Sequence, residues 1–251
     1  MPARDRTGWQ VLAVLVIATL PYVNAIPNGF VLDDELIEKD PRIHALSVGR
    51  IFSTGYWHTV NRDPRGDVYR PLAVLSYAIN YRISGQWPAA FHAVNIVLHA
   101  VTSVLVLAFV HALLGDRWIA FAAALLFAAH PVHTEAVTSV VGRAEIQSAL
   151  LLLIALILHV RHYALPGLRP GAWLAVAVVS FALALLSKET AAAGPALVVL
   201  VGLVDQVAGR SRGLQRASRV AVLYLLGVGG YLAARIAVLG SSAGRAPWKM
   251  I

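Results

Sequence analysis

Seven apolar stretches run along the chain, each close to the length that a helix needs to cross about 30 Å of hydrocarbon. They cover residues 9–26, 91–114, 118–140, 146–160, 173–186, 191–207 and 220–239. The fourth and fifth stretches are short, and the third loses hydrophobicity at His130, so the pattern predicts six or seven spans. No strand-like alternation of apolar and polar residues is sustained anywhere. We therefore predict an all-α membrane protein of about seven transmembrane helices, forming a single domain over residues 1–251.

The composition agrees with this prediction. Apolar residues make up 58% of the chain and charged residues only 14%, which is too apolar for a soluble domain of 251 residues. The net charge is +8, but the basic residues form no run interleaved with aromatic residues, so we do not expect the chain to bind nucleic acid. Cysteine is absent, which excludes disulfides and thiolate metal sites.

The distribution of basic residues predicts the orientation in the membrane. With the N-terminus in the cytoplasm, the short opposite loops hold only Arg143 and Lys188, and the polar segment 28–88 lies on the extracytoplasmic side, in the periplasm or the lumen of the endoplasmic reticulum. The basic residues on the cytoplasmic side are then Arg4, Arg6, Arg117, Arg161, Arg169, Arg210, Arg212, Arg216 and Arg219. The alternative, that the first span is a cleaved signal peptide, also exports segment 28–88.

Two adjacent carboxylates, Asp33 and Asp34, come just after the first span. Acidic residues at the edge of the bilayer are costly unless they pair, bind a cation or take a proton from a substrate. We therefore take them as candidate catalytic residues. The alternative is structural, because Asp33 or Asp34 could cap a helix that begins at Glu35.

Arg70 precedes Pro71, which suits the first turn of a helix. A guanidinium at a helix start near the interface can bind a phosphate group. An arginine that only reaches from the bilayer edge to water is the alternative.

Polar residues also occur within the predicted spans. His92, Asn95 and His99 share one helical stripe, and polar residues in a span usually face the interior of the bundle or a wet cavity. They serve either a functional site or hydrogen bonds between helices.

Further along the chain, His130, His133 and Glu135 flank Pro131. They are candidates for a polar network and, as an alternative, for a metal site without an evident fourth ligand.

Under the predicted orientation, these charged groups meet at one face of the membrane. Carboxylates there could move protons, and cations could bind an anionic head group. The candidate phosphate-binding residues are Arg70, Arg143 and Lys188. The candidate supporting network is His92, Asn95, His99, His130, His133, Glu135, Glu145 and Glu189.

The motifs that contain these residues resemble, in order and spacing, the membrane half of the transmembrane and tetratricopeptide-repeat O-mannosyltransferases, which belong to the GT-C superfamily of glycosyltransferases. The resemblance covers roughly residues 29–205. It rests on Asp33-Asp34, Tyr69-Arg70-Pro71-Leu72, Phe91-His92 with Asn95 and His99, His130-Pro131-Val132-His133-Thr134-Glu135-Ala136-Val137, Gly142-Arg143-Ala144-Glu145 and Ser187-Lys188-Glu189.

The resemblance implies an enzyme that transfers a sugar, mannose in the animal members, from a polyprenyl-phosphate carrier to a hydroxyl of a protein or glycan acceptor outside the cytoplasm. One aspartate of the Asp33-Asp34 pair would then deprotonate the acceptor or help to hold a divalent cation, and the need for a cation stays open. The partners implied are membrane lipid, the lipid-linked donor and the acceptor.

Members of the family usually continue with more spans and with tetratricopeptide repeats, which the 251 residues do not include. This difference leaves open whether residues 1–251 act alone. The alternatives from other functional classes are an inactive membrane scaffold and a transporter-like bundle.

Overall fold

The computed structural model describes residues 8–59, 68–162, 170–209 and 213–240. These residues form twelve α-helices with short 3-10 helices between some of them, and no strand occurs among them. The α-helices are α1 Gly8–Thr19, α2 Glu35–Lys39, α3 Pro41–His44, α4 Val48–Ser53, α5 Pro71–Ser84, α6 Pro88–Leu114, α7 Arg117–Ala129, α8 His133–Thr138, α9 Arg143–His162, α10 Pro170–Ser187, α11 Gly194–Val207 and α12 Gly213–Leu239. The predicted all-α class is confirmed.

In the described part of the chain, five helical segments are long and apolar enough to cross a membrane. They are Gly8–Ala25, Pro88–Leu114, Arg143–Arg161, Glu189–Val207 and Gly213–Leu239. Two further helices are apolar but shorter than these five: α7, and α10 over Gly171–Ser187. The protein is thus a polytopic membrane protein. Each of the seven predicted spans contains a helix, and five of these helices are long and apolar enough to cross the membrane.

The third predicted span, 118–140, is wrong in its extent. Helix α7 ends at Ala129, and a separate short helix, α8, begins at His133. Pro131 lies in the break, where it provides no backbone N–H for a continuing helix. With 13 residues, α7 is about 20 Å long, which is less than the hydrocarbon thickness.

Helix α6 lies at the centre of the first half of the bundle, where it contacts α1, α7 and α9. Helix α10 joins this half to the second by packing on both α9 and α12, and α11 packs on α12. The rings of Phe181 in α10 and Tyr224 in α12 stack with centroids 4.1 Å apart. Gly202 in α11 lets α12 approach closely, because a Cβ there would lie 2.3 Å from the Cβ of Ala217.

The described residues of segment 28–88 form the short helices α2, α3 and α4, followed by α5. A buried ion pair between Arg42 and Asp40 holds it together, with Nη2 2.5 Å from Oδ2. The Arg42 guanidinium also donates to the carbonyls of Gly55 and Tyr56, at 2.7 and 3.0 Å. This arrangement fixes the backbone that carries the Tyr56 ring. As predicted, Pro71 lies in the first turn of α5.

Candidate active site

The turn between α8 and α9 is held by three separate parts of the fold. Asp34 in segment 28–88 accepts a hydrogen bond at Oδ1 from the Val141 N–H, at 3.1 Å. Tyr77 in α5 donates its hydroxyl to the Val141 carbonyl at 2.9 Å, and the Asn95 amide in α6 donates to the Ser139 carbonyl at 2.8 Å. The turn therefore has one defined position relative to α5, α6 and the first loop.

Gly142 allows this turn to lie against α8. A Cβ at Gly142 would lie 2.4 Å from the carbonyl oxygen of Ala136. Because the contact is with backbone atoms and not with a flexible side chain, it cannot be relieved by a change of rotamer.

Replacing Gly142 with alanine should therefore destabilise the protein by about 1–3 kcal/mol, the usual cost of forcing a methyl group into packed structure. Thermal unfolding in detergent measures this. The matched control is Gly229→Ala in α12, where an added Cβ meets nothing within 4 Å. Equal stability of the two variants would contradict the tight packing of the turn.

A polar cavity of about 330 Å³ lies beside this turn. Its walls come from segment 28–88, from α8 and the turns on either side of it, from the start of α9 and from Lys188 just after α10. Its lining residues are Asp33, Tyr56, Trp57, Arg70, Val132, Glu135, Ala136, Ser139, Val141, Gly142, Ala144, Glu145 and Lys188. The structure thus brings together five charged residues that the sequence predicted as site residues: Asp33, Arg70, Glu135, Glu145 and Lys188.

Both cations of the cavity have acidic partners. The Arg70 guanidinium binds Glu189 through two contacts, Nε to Oε2 at 2.9 Å and Nη2 to Oε1 at 2.5 Å. Burial acts to lower the pKa of Arg70, but the hydrogen bonds and charge of Glu189 outweigh it, and the net pKa lies above the ordinary value. Lys188 pairs with Glu145 through a single contact, from Nζ to Oε1. The cations are therefore held in place by carboxylates at the cavity wall.

The two adjacent aspartates have different environments. Asp34 is fully buried, and it accepts hydrogen bonds from the backbone N–H groups of both Val31 and Val141. Burial raises the pKa of Asp34, and these two hydrogen bonds partly offset that effect. Asp33 is exposed and lines the cavity. Within the described residues, the Asp33 carboxylate forms no ion pair. The Asp34 side chain makes no cap bond to the start of α2.

Arg143 lies apart from the other two cations. Its side chain is buried, with 1% exposure, and it donates to the side-chain oxygens of Asn95 and Asn80, both at 2.8 Å, and to the Phe91 carbonyl at 3.1 Å. The guanidinium carbon also lies 5.2 Å from the centre of the Tyr77 ring. Arg143 does not line the polar cavity.

The histidines also separate. His92 is buried, with no hydrogen-bond partner for either ring nitrogen among the described residues. His99 and His133 have ring centres 5.3 Å apart and line a second cavity, whereas His130 is exposed where α7 ends. Burial and the nearby His130 lower the pKa of His133. No three His, Cys, Asp or Glu residues within the described ranges form a metal-binding cluster, so the alternative of a metal site at His130, His133 and Glu135 gains no support.

Several residues of the candidate site were not predicted from the sequence. Tyr56, Trp57 and Tyr77 surround the cavity or its turn, and Asn80 completes the shell of Arg143. The Tyr56 and Tyr77 hydroxyls are 3.3 Å apart, and burial raises the pKa of Tyr56 well above its ordinary value. Nothing in their spacing marks them, since isolated aromatic residues are common in any membrane-edge segment.

The family described as "Dolichyl-phosphate-mannose-protein mannosyltransferase" matches residues 70–235, which extend from Arg70 of the cavity to α12. The chain belongs to this family. Similar relatives include Protein O-mannosyl-transferase TMTC2 of Mus musculus, 35% identical over 161 residues, which are 61% of this chain and 18% of the relative. Tmtc2 of Drosophila melanogaster is 35% identical over 219 residues, 84% of this chain and 23% of the relative.

Protein O-mannosyl-transferase TMTC3 of Homo sapiens is 37% identical over 155 residues, which are 61% of this chain and 17% of that protein. The chain thus matches about a fifth of the length of these relatives. No solved structure matches the chain. The resemblance to the transmembrane and tetratricopeptide-repeat O-mannosyltransferases is confirmed by these relatives.

Proposed function

We propose that this mannosyltransferase family member transfers mannose from a polyprenyl-phosphate carrier to an acceptor hydroxyl of a protein or glycan. One observation carries the proposal: the Asp33 carboxylate, which forms no ion pair with the residues that the structure describes, shares a cavity with the two cations Arg70 and Lys188. Glycosyl transfer from a phosphate needs both kinds of group, a base for the acceptor and positive charge for the departing phosphate.

In the proposed reaction, Asp33 removes the proton of the acceptor hydroxyl while its oxygen attacks the anomeric carbon of the sugar. The bond between this carbon and the phosphate oxygen breaks, and its electron pair stays on the phosphate. Arg70 and Lys188 stabilise that charge, since both already hold carboxylates whose place a phosphate oxygen can take. Only side chains of the cavity take part in these steps, and the role of a divalent cation stays outside the proposal.

In this proposal Asp34, Asn95 and Arg143 act on structure rather than on the donor. Their hydrogen bonds fix the turn that forms one wall of the cavity. In this proposal the phosphate binds to Arg70 and Lys188, and Arg143, which the sequence also suggested, serves the turn instead.

A binding measurement tests the proposal directly. The purified protein in lipid nanodiscs should bind a polyprenyl-phosphate mannose, and a nucleotide-linked mannose should not compete with it. Replacing both cavity cations, as Arg70→Gln with Lys188→Gln, should abolish this binding because the phosphate then loses both positive partners. The control is Arg82→Gln at the end of α5, a basic residue outside the cavity. Undiminished binding by the double variant would contradict the proposed site.

We also propose that the cavity faces away from the cytoplasm. The chain has no cysteine, so single cysteines report position cleanly. Ser53→Cys lies on segment 28–88, and Ala208→Cys follows α11; both positions are exposed. A membrane-impermeant thiol reagent applied to intact cells, or to sealed vesicles of luminal-outside orientation, should label only the first. Labelling of Ala208→Cys alone would reverse the proposed orientation.

A further inference from the structure

Arg235 in α12 is a buried cation that the proposed reaction does not use. Only 8% of the residue is exposed, and its Nε is buried without a hydrogen-bond partner among the described residues. Within the same part of the chain, Arg235 forms no ion pair with a carboxylate. A charged side chain in a membrane-spanning helix is costly and usually has a function, with an anion as its partner. We therefore looked for the anion that lies near Arg235.

The contacts of Tyr231 place Arg235 near the ion pair of Arg70 and Glu189. Tyr231 precedes Arg235 by four residues, so both side chains lie on one face of α12. The Tyr231 hydroxyl donates to the carbonyl of Tyr69, the residue directly before Arg70, at 2.9 Å. The hydroxyl also interacts with Arg235 and lies within electrostatic range of Glu189 and Arg70. The Glu189 carboxylate therefore has two arginines nearby, of which only Arg70 is bound to it.

Binding of a phosphate to Arg70 leaves Glu189 without its cation. In the ion pair, two nitrogens of the Arg70 guanidinium hold both carboxylate oxygens of Glu189. The proposed phosphate takes that place, and a partly buried carboxylate left unpaired is costly. Lys188 is not available to it, because Lys188 binds the same phosphate in the proposed reaction. The Tyr231 hydroxyl already donates its single proton to the Tyr69 carbonyl.

We propose that Arg235 receives the Glu189 carboxylate when a phosphate binds to Arg70. The unpartnered Nε of Arg235 offers a donor for it. Arg70 keeps its position during this exchange, because its guanidinium carbon lies 5.6 Å from the centre of the Tyr56 ring, a distance typical of a cation–π contact. The inference rests on the proposed function and adds a positioning residue, Arg235, which acts on the phosphate only through Glu189.

Direct binding of the phosphate by Arg235 is the competing role. Arg235 does not line the polar cavity, in which Asp33, Arg70 and Lys188 meet. Its neighbour Tyr231 bonds to a buried backbone carbonyl rather than to the cavity. The position of Arg235 therefore favours action through Glu189.

A double-mutant cycle between Arg235 and Glu189 distinguishes these roles. Binding of farnesyl phosphate to the purified protein in lipid nanodiscs is measured by calorimetry for the wild type, Arg235→Gln, Glu189→Gln and the double variant. We expect Arg235→Gln to weaken binding by about tenfold or more, within the usual range of coupling between two sites. Glu189→Gln should bind at least as tightly as the wild type, since no carboxylate then competes for Arg70. In the Glu189→Gln background, Arg235→Gln should have no further effect.

Two further variants serve as controls. Arg235→Met removes the charge without placing an amide in apolar surroundings, so it replaces Arg235→Gln if that variant does not fold. Arg219→Gln changes an exposed arginine near the start of the same helix and should bind like the wild type. Thermal unfolding verifies that each variant is folded. If neither neutral variant of Arg235 folds, Arg235 supports the fold and the proposed exchange is overturned.

The outcomes separate this inference from the proposed function. Equal losses from Arg235→Gln with and without the Glu189 carboxylate would mean that Arg235 binds the phosphate itself or only supports the fold, and the exchange would be wrong. Unchanged binding in Arg235→Gln, where Arg70→Gln with Lys188→Gln abolishes binding, would also overturn the exchange while the proposed function stands. If neither the wild type nor Glu189→Gln binds farnesyl phosphate, the proposed function fails and the inference fails with it.

Discussion

Replacing Asp33 with asparagine is expected to lower the rate of mannose transfer by about a hundredfold or more, as the loss of a general base does. Asparagine keeps the shape of the side chain but cannot take the proton of an acceptor hydroxyl. Because Asp33 is exposed at the cavity and makes no structural ion pair in the described part of the chain, folding should be unaffected. Transfer from a polyprenyl-phosphate mannose to a peptide, assayed in membranes of cells that make the protein, measures the effect.

Asp34→Asn is the matched comparison, and it should behave differently. Asp34 accepts backbone hydrogen bonds on both carboxylate oxygens, from Val31 and Val141, while asparagine has a single acceptor oxygen. One partly buried N–H then loses its partner, at a cost of about 1 kcal/mol in the free energy of unfolding. Full transfer activity in Asp33→Asn, with loss of activity in a stably folded Asp34→Asn, would assign the base to Asp34 instead.

Arg143→Lys is expected to have the largest effect on stability, about 3 kcal/mol or more, since hydrogen bonds from charged groups are each worth about 1.5–3 kcal/mol. The single lysine nitrogen cannot serve Asn95, Asn80 and the Phe91 carbonyl together, yet the variant keeps a buried positive charge. Thermal unfolding in detergent gives the difference from wild type.

The control for this change is Arg161→Lys, on the same helix α9 but exposed, which should alter the midpoint of unfolding very little. Below the unfolding temperature, Arg143→Lys should still bind inorganic phosphate, because Arg143 lies outside the polar cavity. If the variant had normal stability but no longer bound phosphate, Arg143 would be a phosphate-binding residue after all.

The sequence predicted the helical membrane class well, because hydrophobic length is set by the bilayer and can be counted along the chain. It failed at the third span, where apolar residues continue on both sides of the His130-Pro131 break. Hydropathy falls at His130 but does not show that the helix ends there, since the alanine, valine and threonine residues after it suit a span as well as a short helix outside one. The missing backbone N–H of Pro131 contributes to ending α7. A hydropathy average adds up side-chain values only and therefore does not include this backbone effect.

The candidate site shows a similar division. The sequence grouped charged residues that the structure does bring to one cavity, such as Asp33, Arg70 and Lys188. It could not separate Asp33 from Asp34, which are chemically identical neighbours, because their difference arises from Val141, more than a hundred residues away. Nor could it foresee that Arg143 finds amide oxygens rather than a carboxylate, since that depends on how α5, α6 and α9 meet.

The contacts that build the cavity join residues that are made at very different times on the ribosome. The turn at Val141 can close on Asp34 only after 107 further residues have been added, and Arg70 waits 119 residues for Glu189. The Tyr231 hydroxyl, which donates to the backbone carbonyl of Tyr69, arrives 162 residues later. Because synthesis proceeds from the N-terminus, Arg70 and its neighbours are made before α6, α7, α9 and α10, and Glu189 follows all of these helices. The cavity is therefore among the last parts of this chain to form, and a ribosome that stops before Glu189 leaves helices in the membrane without the site.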